Sequence, residues 1–186
     1  MRNLGLVPAI LCSILSAAPA FADTPATGVW QKHQYSFAFM GFTTTYSCDG
    51  LADKLKILLL AAGARPDVKA NGGACANGFG RPDKLARADL TFYTLAPPTG
   101  DSADGTPVAA KWLSVELQAR KPRQLGSGDC ELVDQFRTSV LPMFTTRNID
   151  NHTTCVPHQD SGSLIGLKFE SLTGVPTPKV AQGSGS

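Results

Sequence analysis

The fold class is decided by the stretch Leu113-Ser114-Val115-Glu116-Leu117-Gln118-Ala119-Arg120. Apolar and polar residues alternate along it, which is the period of two expected of a β-strand with one buried face. After a short polar loop, apolar residues recur at three- and four-residue spacing over 132–141, which is typical of an amphipathic helix. Asp129 stands where its side chain can cap the free N–H groups of that helix, and Pro142 ends it. The sequence therefore predicts a strand followed by a helix.

The first half of the chain repeats this order. An aromatic stretch over 30–42 alternates large and small side chains and predicts a strand. Leucine and alanine residues at three- and four-residue spacing follow over 51–62 and predict a helix. Gly63 is a natural C-terminal stop, and Pro66 cannot continue the helix. In each half, a polar segment and then a more apolar strand follow the helix.

Landmark residues keep nearly the same spacing in the two halves. Each half has a tryptophan followed by a cysteine at an identical spacing, and a second cysteine then follows at a nearly identical one. Such a register favours an internal duplication over coincidence. The landmarks are Trp30, Cys48 and Cys75 in the first half and Trp112, Cys130 and Cys155 in the second.

We therefore predict an α+β fold made of two tandem β-α-β-β units, with a mainly antiparallel sheet covered by two helices. This layout resembles a pair of ferredoxin-like units, a likeness of architecture that implies no function. The predicted boundaries are 1–22 for a signal peptide, 23–96 for the first unit, 97–107 for a linker loop, 108–172 for the second unit and 173–186 for a flexible tail.

The N-terminal segment 1–22 predicts export. A basic residue at position 2 precedes an apolar run over 4–18, and Ala20 and Ala22 supply small residues before a cleavage point at Asp23. The run is too short to cross a bilayer, which needs about 20 apolar residues. We expect an exported chain, periplasmic or secreted, with no integral membrane segment.

Four cysteines remain after the predicted cleavage. An even number in an exported chain favours two disulfides. Three pairings are possible, and the repeat favours the two within units, Cys48–Cys75 and Cys130–Cys155. A pairing across the units is the alternative. In either case, bonded cysteines cannot act as nucleophiles.

The charge balance disfavours a nucleic-acid partner. The chain carries 17 basic and 15 acidic residues, which leaves no strong electrostatic footprint. We expect a recognition surface at the polar segment 142–159 or at the basic cluster 120–123. The candidate binding residues are Arg120, Lys121, Arg123, Arg147, Asn148, His152 and His158.

A metal site is the weaker possibility in the same polar segment. His152 and His158 lie near Asp150 and Asp160, and two imidazoles with two carboxylates could bind zinc or copper. Their spacing matches no tight ligand pattern, and Pro157 indicates an irregular loop. We predict no cofactor.

No catalytic motif stands out in the sequence. It contains no Gly-x-Ser-x-Gly elbow and no carboxylate pair that its spacing singles out. We therefore expect a non-enzymatic exported module that binds, or helps assemble, a protein or cell-envelope component. The alternative is an exported metal-binding protein or hydrolase that uses His152 and His158.

Overall fold

The computed structural model describes residues 26–73, 81–98, 106–159 and 161–175. These residues form six strands and two α-helices, and every strand pairing is antiparallel. The predicted α+β class with an antiparallel sheet and two helices is confirmed. The elements are β1 Ala26–Met40, α1 Cys48–Ala61, β2 Lys69–Gly72, β3 Leu85–Ala96, β4 Val108–Gln118, α2 Cys130–Ser139, β5 Thr146–Asn151 and β6 Gly166–Gly174.

The strands form one sheet in the order β2-β3-β1-β4-β6-β5. β1 pairs with β3 along most of its length, and β4 pairs likewise with β6. The two groups of three strands join only where Ala26–Gly28 of β1 lies beside Val108–Ala110 of β4. β6 continues to Gly174, so residues 173 and 174 belong to the sheet, although the sequence assigned them to the tail.

Local sequence explains where α1 begins and ends. The Ser47 hydroxyl accepts a hydrogen bond from the Gly50 N–H at 3.0 Å and so caps the first turn. The leucines of the predicted apolar face are buried against the sheet. The helix stops before Gly63, whose φ of 94° lies in the left-handed region that favours glycine.

The start of α2 differs from the prediction. A 3₁₀ turn, Ser127–Asp129, precedes the helix, and Asp129 makes no capping hydrogen bond to it. The carboxylate accepts instead from the Gly126 N–H at 2.6 Å and from side chains of the first half. The predicted cap is therefore wrong, because Tyr46 and Lys54 compete for the carboxylate.

The hydrophobic core has a main part and a minor part. The main cluster lies between the helices and one face of the sheet and includes Phe37, Phe92 and Phe136. The minor cluster joins Leu95, Ala110 and Leu172 with both tryptophans. Thr94 of β3 donates a hydrogen bond to the Met143 carbonyl and so points to the helical side of the sheet. Because neighbouring residues of a strand point to opposite faces, Leu95 and the minor cluster lie on the other face.

The disulfide Cys130–Cys155 is present, with the two Cα atoms 5.6 Å apart. This confirms the predicted pairing within the second unit and excludes the pairings across units for these two cysteines. Cys48 is also disulfide-bonded, but Cys75 lies outside the described residues, so the pairing Cys48–Cys75 stays a prediction. The predicted signal peptide lies outside them as well.

Within the described ranges, neither α-helix has the length and apolar character that crossing a membrane requires.

Candidate functional site

The basic cluster 120–123 forms a tight exposed turn after β4. Arg120, Lys121 and Arg123 all point to solvent, and Gln118 and Lys121 exchange backbone hydrogen bonds across the turn. Lys121 forms an ion pair with Glu116, and Lys168 approaches the same carboxylate at 3.2 Å. Hydrogen bonds from Lys121 and Lys168 lower the pKa of Glu116. One of the three predicted cations is therefore already paired with a surface carboxylate.

The next two candidate residues lie on the edge strand β5. The Arg147 guanidinium lies 4.1 Å from the centre of the Trp112 ring and forms an ion pair with Glu170. Asn148 is exposed with a φ of 53°, at a register shift between β5 and β6. Arg147 therefore covers the ring of Trp112, and Asn148 lies in the irregular part of the edge strand.

The two histidines of the polar segment have different neighbours. His152 Nε2 lies 2.8 Å from Asp150 Oδ1, and both side chains are mostly exposed. The ring of His158 faces Phe42 of the first half, with 6.3 Å between ring centres. Asp160 lies outside the described residues. In the part of the chain that is described, no group of three His, Cys, Asp or Glu side chains could hold a metal ion.

One exposed apolar surface was not predicted from the sequence. Met40, Phe42 and Leu85 are 55 %, 56 % and 55 % exposed, and Met40 lies directly opposite Leu85 in the β1–β3 pairing. We call these three residues the apolar patch. A depression of about 200 Å³ lies beside it, and Glu131 and Asp134 line its wall.

The backbone beneath the apolar patch is held by α2. The Gln135 side chain makes two hydrogen bonds to Met40: it accepts from the Met40 N–H at 3.1 Å and donates to the Met40 carbonyl at 2.7 Å. The Glu131 carboxylate accepts from the N–H groups of Phe42 and Thr43 at 3.0 and 3.2 Å. These bonds fix an exposed loop against a helix of the other half.

The polar segment holds the same loop from the other side. The Thr43 hydroxyl accepts a hydrogen bond from the His158 N–H at 2.8 Å. His158 lies three positions after Cys155, which is bonded to the first residue of α2. The end of the predicted recognition segment therefore lies beside Phe42, which the alternation over 30–42 had placed in a strand.

A larger cavity lies where the two halves meet, and we call it the Trp30 crevice. It has a volume of about 390 Å³, and its walls include Trp30, Leu60, Arg65, Val108, Leu113 and Val175. The Arg65 guanidinium lies 3.5 Å from the centre of the Tyr93 ring and 5.7 Å from that of Trp30. Its Nε and Nη2 each bind a carboxylate oxygen of Asp67 at 2.7 Å. This bonding raises the pKa of Arg65 and lowers that of Asp67.

A buried polar cluster joins the two halves below the surface. Asp129 is 5 % exposed, and its carboxylate accepts hydrogen bonds from the Tyr46 hydroxyl and from Lys54 Nζ, the latter at 2.6 Å. Burial, together with the hydrogen bond to Asp129, raises the pKa of Tyr46 far above its usual value. The tyrosine therefore stays protonated, and the cluster serves to hold the two helix starts together.

The sequence did carry one further signal for the arginines. Arg65 follows Trp30 at the same spacing as Arg147 follows Trp112, and each arginine contacts its tryptophan. Counting that spacing alongside the cysteines would have added one more landmark to the predicted repeat.

No protein-family model, curated protein or solved structure matches this chain.

Proposed function

We propose that this chain is an exported, disulfide-stabilised, non-enzymatic module that binds a protein of its compartment through the apolar patch. The observation that supports this most is that Met40, Phe42 and Leu85 are each more than half exposed. Met40 lies opposite Leu85, and Met40 and Phe42 line the same depression. Contiguous exposed apolar surface rimmed by polar groups is typical of protein interaction sites. The loop is also held in one conformation by α2, so binding would cost little ordering entropy.

The rim of the patch suggests what the partner offers. The depression beside Met40 and Phe42 is bordered by the carboxylates of Glu131 and Asp134. Glu131 already accepts from two backbone N–H groups, and Asp134 pairs with Arg137 at 2.9 Å. A partner with an apolar side chain as its anchor and a hydrogen-bond donor beside it fits this chemistry.

Export is supported by the disulfide chemistry and by the N-terminal sequence. Disulfides persist in oxidising compartments, and the Cys130–Cys155 bridge fastens the segment that supports the apolar patch. The near balance of acidic and basic residues argues against a nucleic-acid partner. The rival hypothesis of a metal protein or hydrolase is supported only by the exposed Asp150–His152 contact, and we do not favour it.

We also infer that the two halves arose from one duplicated unit. Each half runs strand, helix, strand, strand, and the strand order reads outward from β1 and β4 in the same way on both sides. A tryptophan, a cysteine and an arginine recur at one constant offset, the offset from Trp30 to Trp112, and each arginine lies over its tryptophan. At this offset Met40 and Phe42 correspond to Pro122 and Gln124. The apolar patch would then belong to one unit alone.

The test compares two serine substitutions on the chain from residue 23. Phe42→Ser removes the largest side chain of the patch, and Ile149→Ser is the matched control, because Ile149 is 54 % exposed on β5. The melting temperature of each protein is measured first. Each protein is then immobilised and exposed to the periplasmic extract or the secreted fraction of the cell that produces it.

The expected result is a protein that wild type and Ile149→Ser retain and Phe42→Ser loses. Purification of that protein and direct titration should then give a dissociation constant that Phe42→Ser weakens by about tenfold or more, as for a central aromatic anchor. The proposal fails if nothing is retained, or if all three proteins retain the same set equally.

A further inference from the structure

The Trp30 crevice has the size of a small-ligand site. Its volume is about 390 Å³, within the range of roughly 300–1,000 Å³ that such pockets occupy. If each non-hydrogen atom takes a share similar to that of a water molecule in the liquid, about 30 Å³, the crevice holds about 13 such atoms. This limits the ligand to a short chain or a small ring system.

The walls of the crevice are mainly aliphatic. Leu60 and Val175 are 40 % and 46 % exposed, and both line it. Leu113 and Val108 of β4 complete this surface opposite the end of α1. A flexible hydrocarbon chain laid along these side chains would remove them from water, which is favourable by roughly 0.8 kcal/mol for each buried methylene.

The charged groups around the crevice favour an anion. Arg65 lines it, and the Nη1 group of its guanidinium is not engaged by Asp67, which binds Nε and Nη2. Lys111 lies directly opposite the crevice residue Thr173 in the β4–β6 pairing. Within the described residues Lys111 forms no ion pair, so its charge adds to a neighbourhood in which Arg65 is paired with Asp67.

The corresponding place in the other half is filled, which sets the crevice apart. There, Phe144 stacks on Phe92 with 5.9 Å between ring centres, and Thr94 donates a hydrogen bond to the Met143 carbonyl at 2.9 Å. At the constant offset of the proposed duplication, Phe144 corresponds to Ala62, and Gly63 follows it at the crevice wall.

A buried hydroxyl behind the crevice lacks a partner among the described residues. Strand pairing sets Leu95 opposite Trp30 and Leu172 opposite Trp112, so Ser171 corresponds to the bonded Thr94. Ser171 is fully buried, and its Oγ makes no hydrogen bond to any described residue. It lies against Gly63, where a Cβ would be 3.5 Å from it. The polar atoms are therefore satisfied in the filled half and incompletely satisfied beside the crevice.

From these observations we propose that the Trp30 crevice binds a free medium-chain carboxylate, with its hydrocarbon chain along Leu60 and Val175 and its carboxylate at Arg65. A chain of about ten carbons with one carboxylate has about 12 non-hydrogen atoms, which agrees with the capacity of the crevice. A guanidinium is the side chain best matched to a carboxylate. The site is separate from the apolar patch, and neither proposal requires the other.

Intrinsic fluorescence tests the proposal directly, because Trp30 lies in the wall. The chain has two tryptophans, so Trp112→Phe leaves Trp30 as the sole reporter. In that background, decanoate is titrated below its micelle-forming concentration, beside decanol, decyltrimethylammonium and vesicles of an anionic phospholipid. We expect a saturable change in Trp30 emission with decanoate, binding about tenfold weaker with decanol, and no change with the other two.

Three variants separate the two parts of the site. Arg65→Gln should remove the preference for decanoate over decanol. Leu60→Glu should abolish binding, whereas Ile149→Glu, the same change at a similarly exposed position on β5, should not.

Any one of the following results would overturn the proposal. They are the absence of a saturable response to decanoate, equal affinity for decanol, an unchanged preference in Arg65→Gln, and equal losses in Leu60→Glu and Ile149→Glu. A response to the vesicles alone would also contradict it, since it would identify a membrane surface as the occupant.

Discussion

Replacing Asp129 by alanine should destabilise the fold more than replacing any exposed aspartate. The substitution removes the acceptor for the Tyr46 hydroxyl, for Lys54 Nζ and for the Gly126 N–H. A buried hydroxyl without a partner costs about 1–3 kcal/mol, and a lost hydrogen bond to a backbone N–H costs about 1 kcal/mol. Lys54 is partly exposed and can recover water, so its share is discounted. The sum is a loss of about 3 kcal/mol in the free energy of unfolding.

The measurement is urea unfolding of the oxidised chain, followed by circular dichroism, with Asp134→Ala as the matched control. Asp134 forms a partly exposed ion pair with Arg137 in α2, and such pairs contribute about 0–1 kcal/mol. A double-mutant cycle with Tyr46→Phe isolates the pair, because the second substitution removes the stranded hydroxyl. We expect Asp129→Ala/Tyr46→Phe to lose at least about 1 kcal/mol less than the sum of the single losses.

Two results would refute this reasoning. If Asp129→Ala unfolds within about 0.5 kcal/mol of Asp134→Ala, the cluster does not hold the two helix starts together. If the losses of Asp129→Ala and Tyr46→Phe add without coupling, the hydroxyl and the carboxylate do not act as one unit.

Three further predictions concern other contacts. Burial lowers the pKa of His33 below 6.5, so between the folded pKa and about 6.5 the unfolded chain binds more protons than the folded chain. The contribution of His33 to stability is therefore complete above about pH 6.5 and falls as the pH drops through that window. When unfolding is compared at about pH 7.5 and 5, the free energy of unfolding should change less with pH in His33→Gln than in wild type. Replacing Cys155 by serine opens the bridge to Cys130, at a sequence separation of 25, and should cost about 3 kcal/mol in the chain-entropy account; an unchanged urea midpoint would contradict this. Gly174→Ala places a Cβ 2.8 Å from the Trp30 ring and should cost about 1–2 kcal/mol through overpacking, with a shift in tryptophan emission; equal stability and emission would show that the ring moves freely.

The parts of the fold that could be predicted depend on local patterns. The alternation before Arg120 indicates a strand, and the leucine spacing before Gly63 indicates a helix, because each period reflects burial of one face. The Cys130–Cys155 pairing followed from the residue spacing on which the predicted repeat was based. In these cases the deciding interactions lie within one half of the chain.

The parts that could not be predicted depend on contacts between distant residues. Met40 and Leu85 form one surface only because the β1–β3 register places them opposite each other. Asp129 has the residue type and position of a helix cap, yet Lys54 and Tyr46, which belong to the first half, take its carboxylate. A single sequence gives the preference of each segment but not which distant group competes for it.

If the two halves arose by duplication, as proposed, the differences between them follow one pattern. Where the second half has Phe144 in the core and Gln124 at the turn, the first has the small Ala62 and the exposed Phe42. The apolar patch therefore belongs to the first half, which also supplies Leu60 and Arg65 to the Trp30 crevice. The second half supplies the supports, since Glu131 and Gln135 hold the backbone beneath the apolar patch. In a duplicated scaffold, one copy can lose packing volume and gain exposed surface if the other copy keeps the fold stable. On this view, substitutions that weaken α2 should impair binding at the apolar patch without touching it.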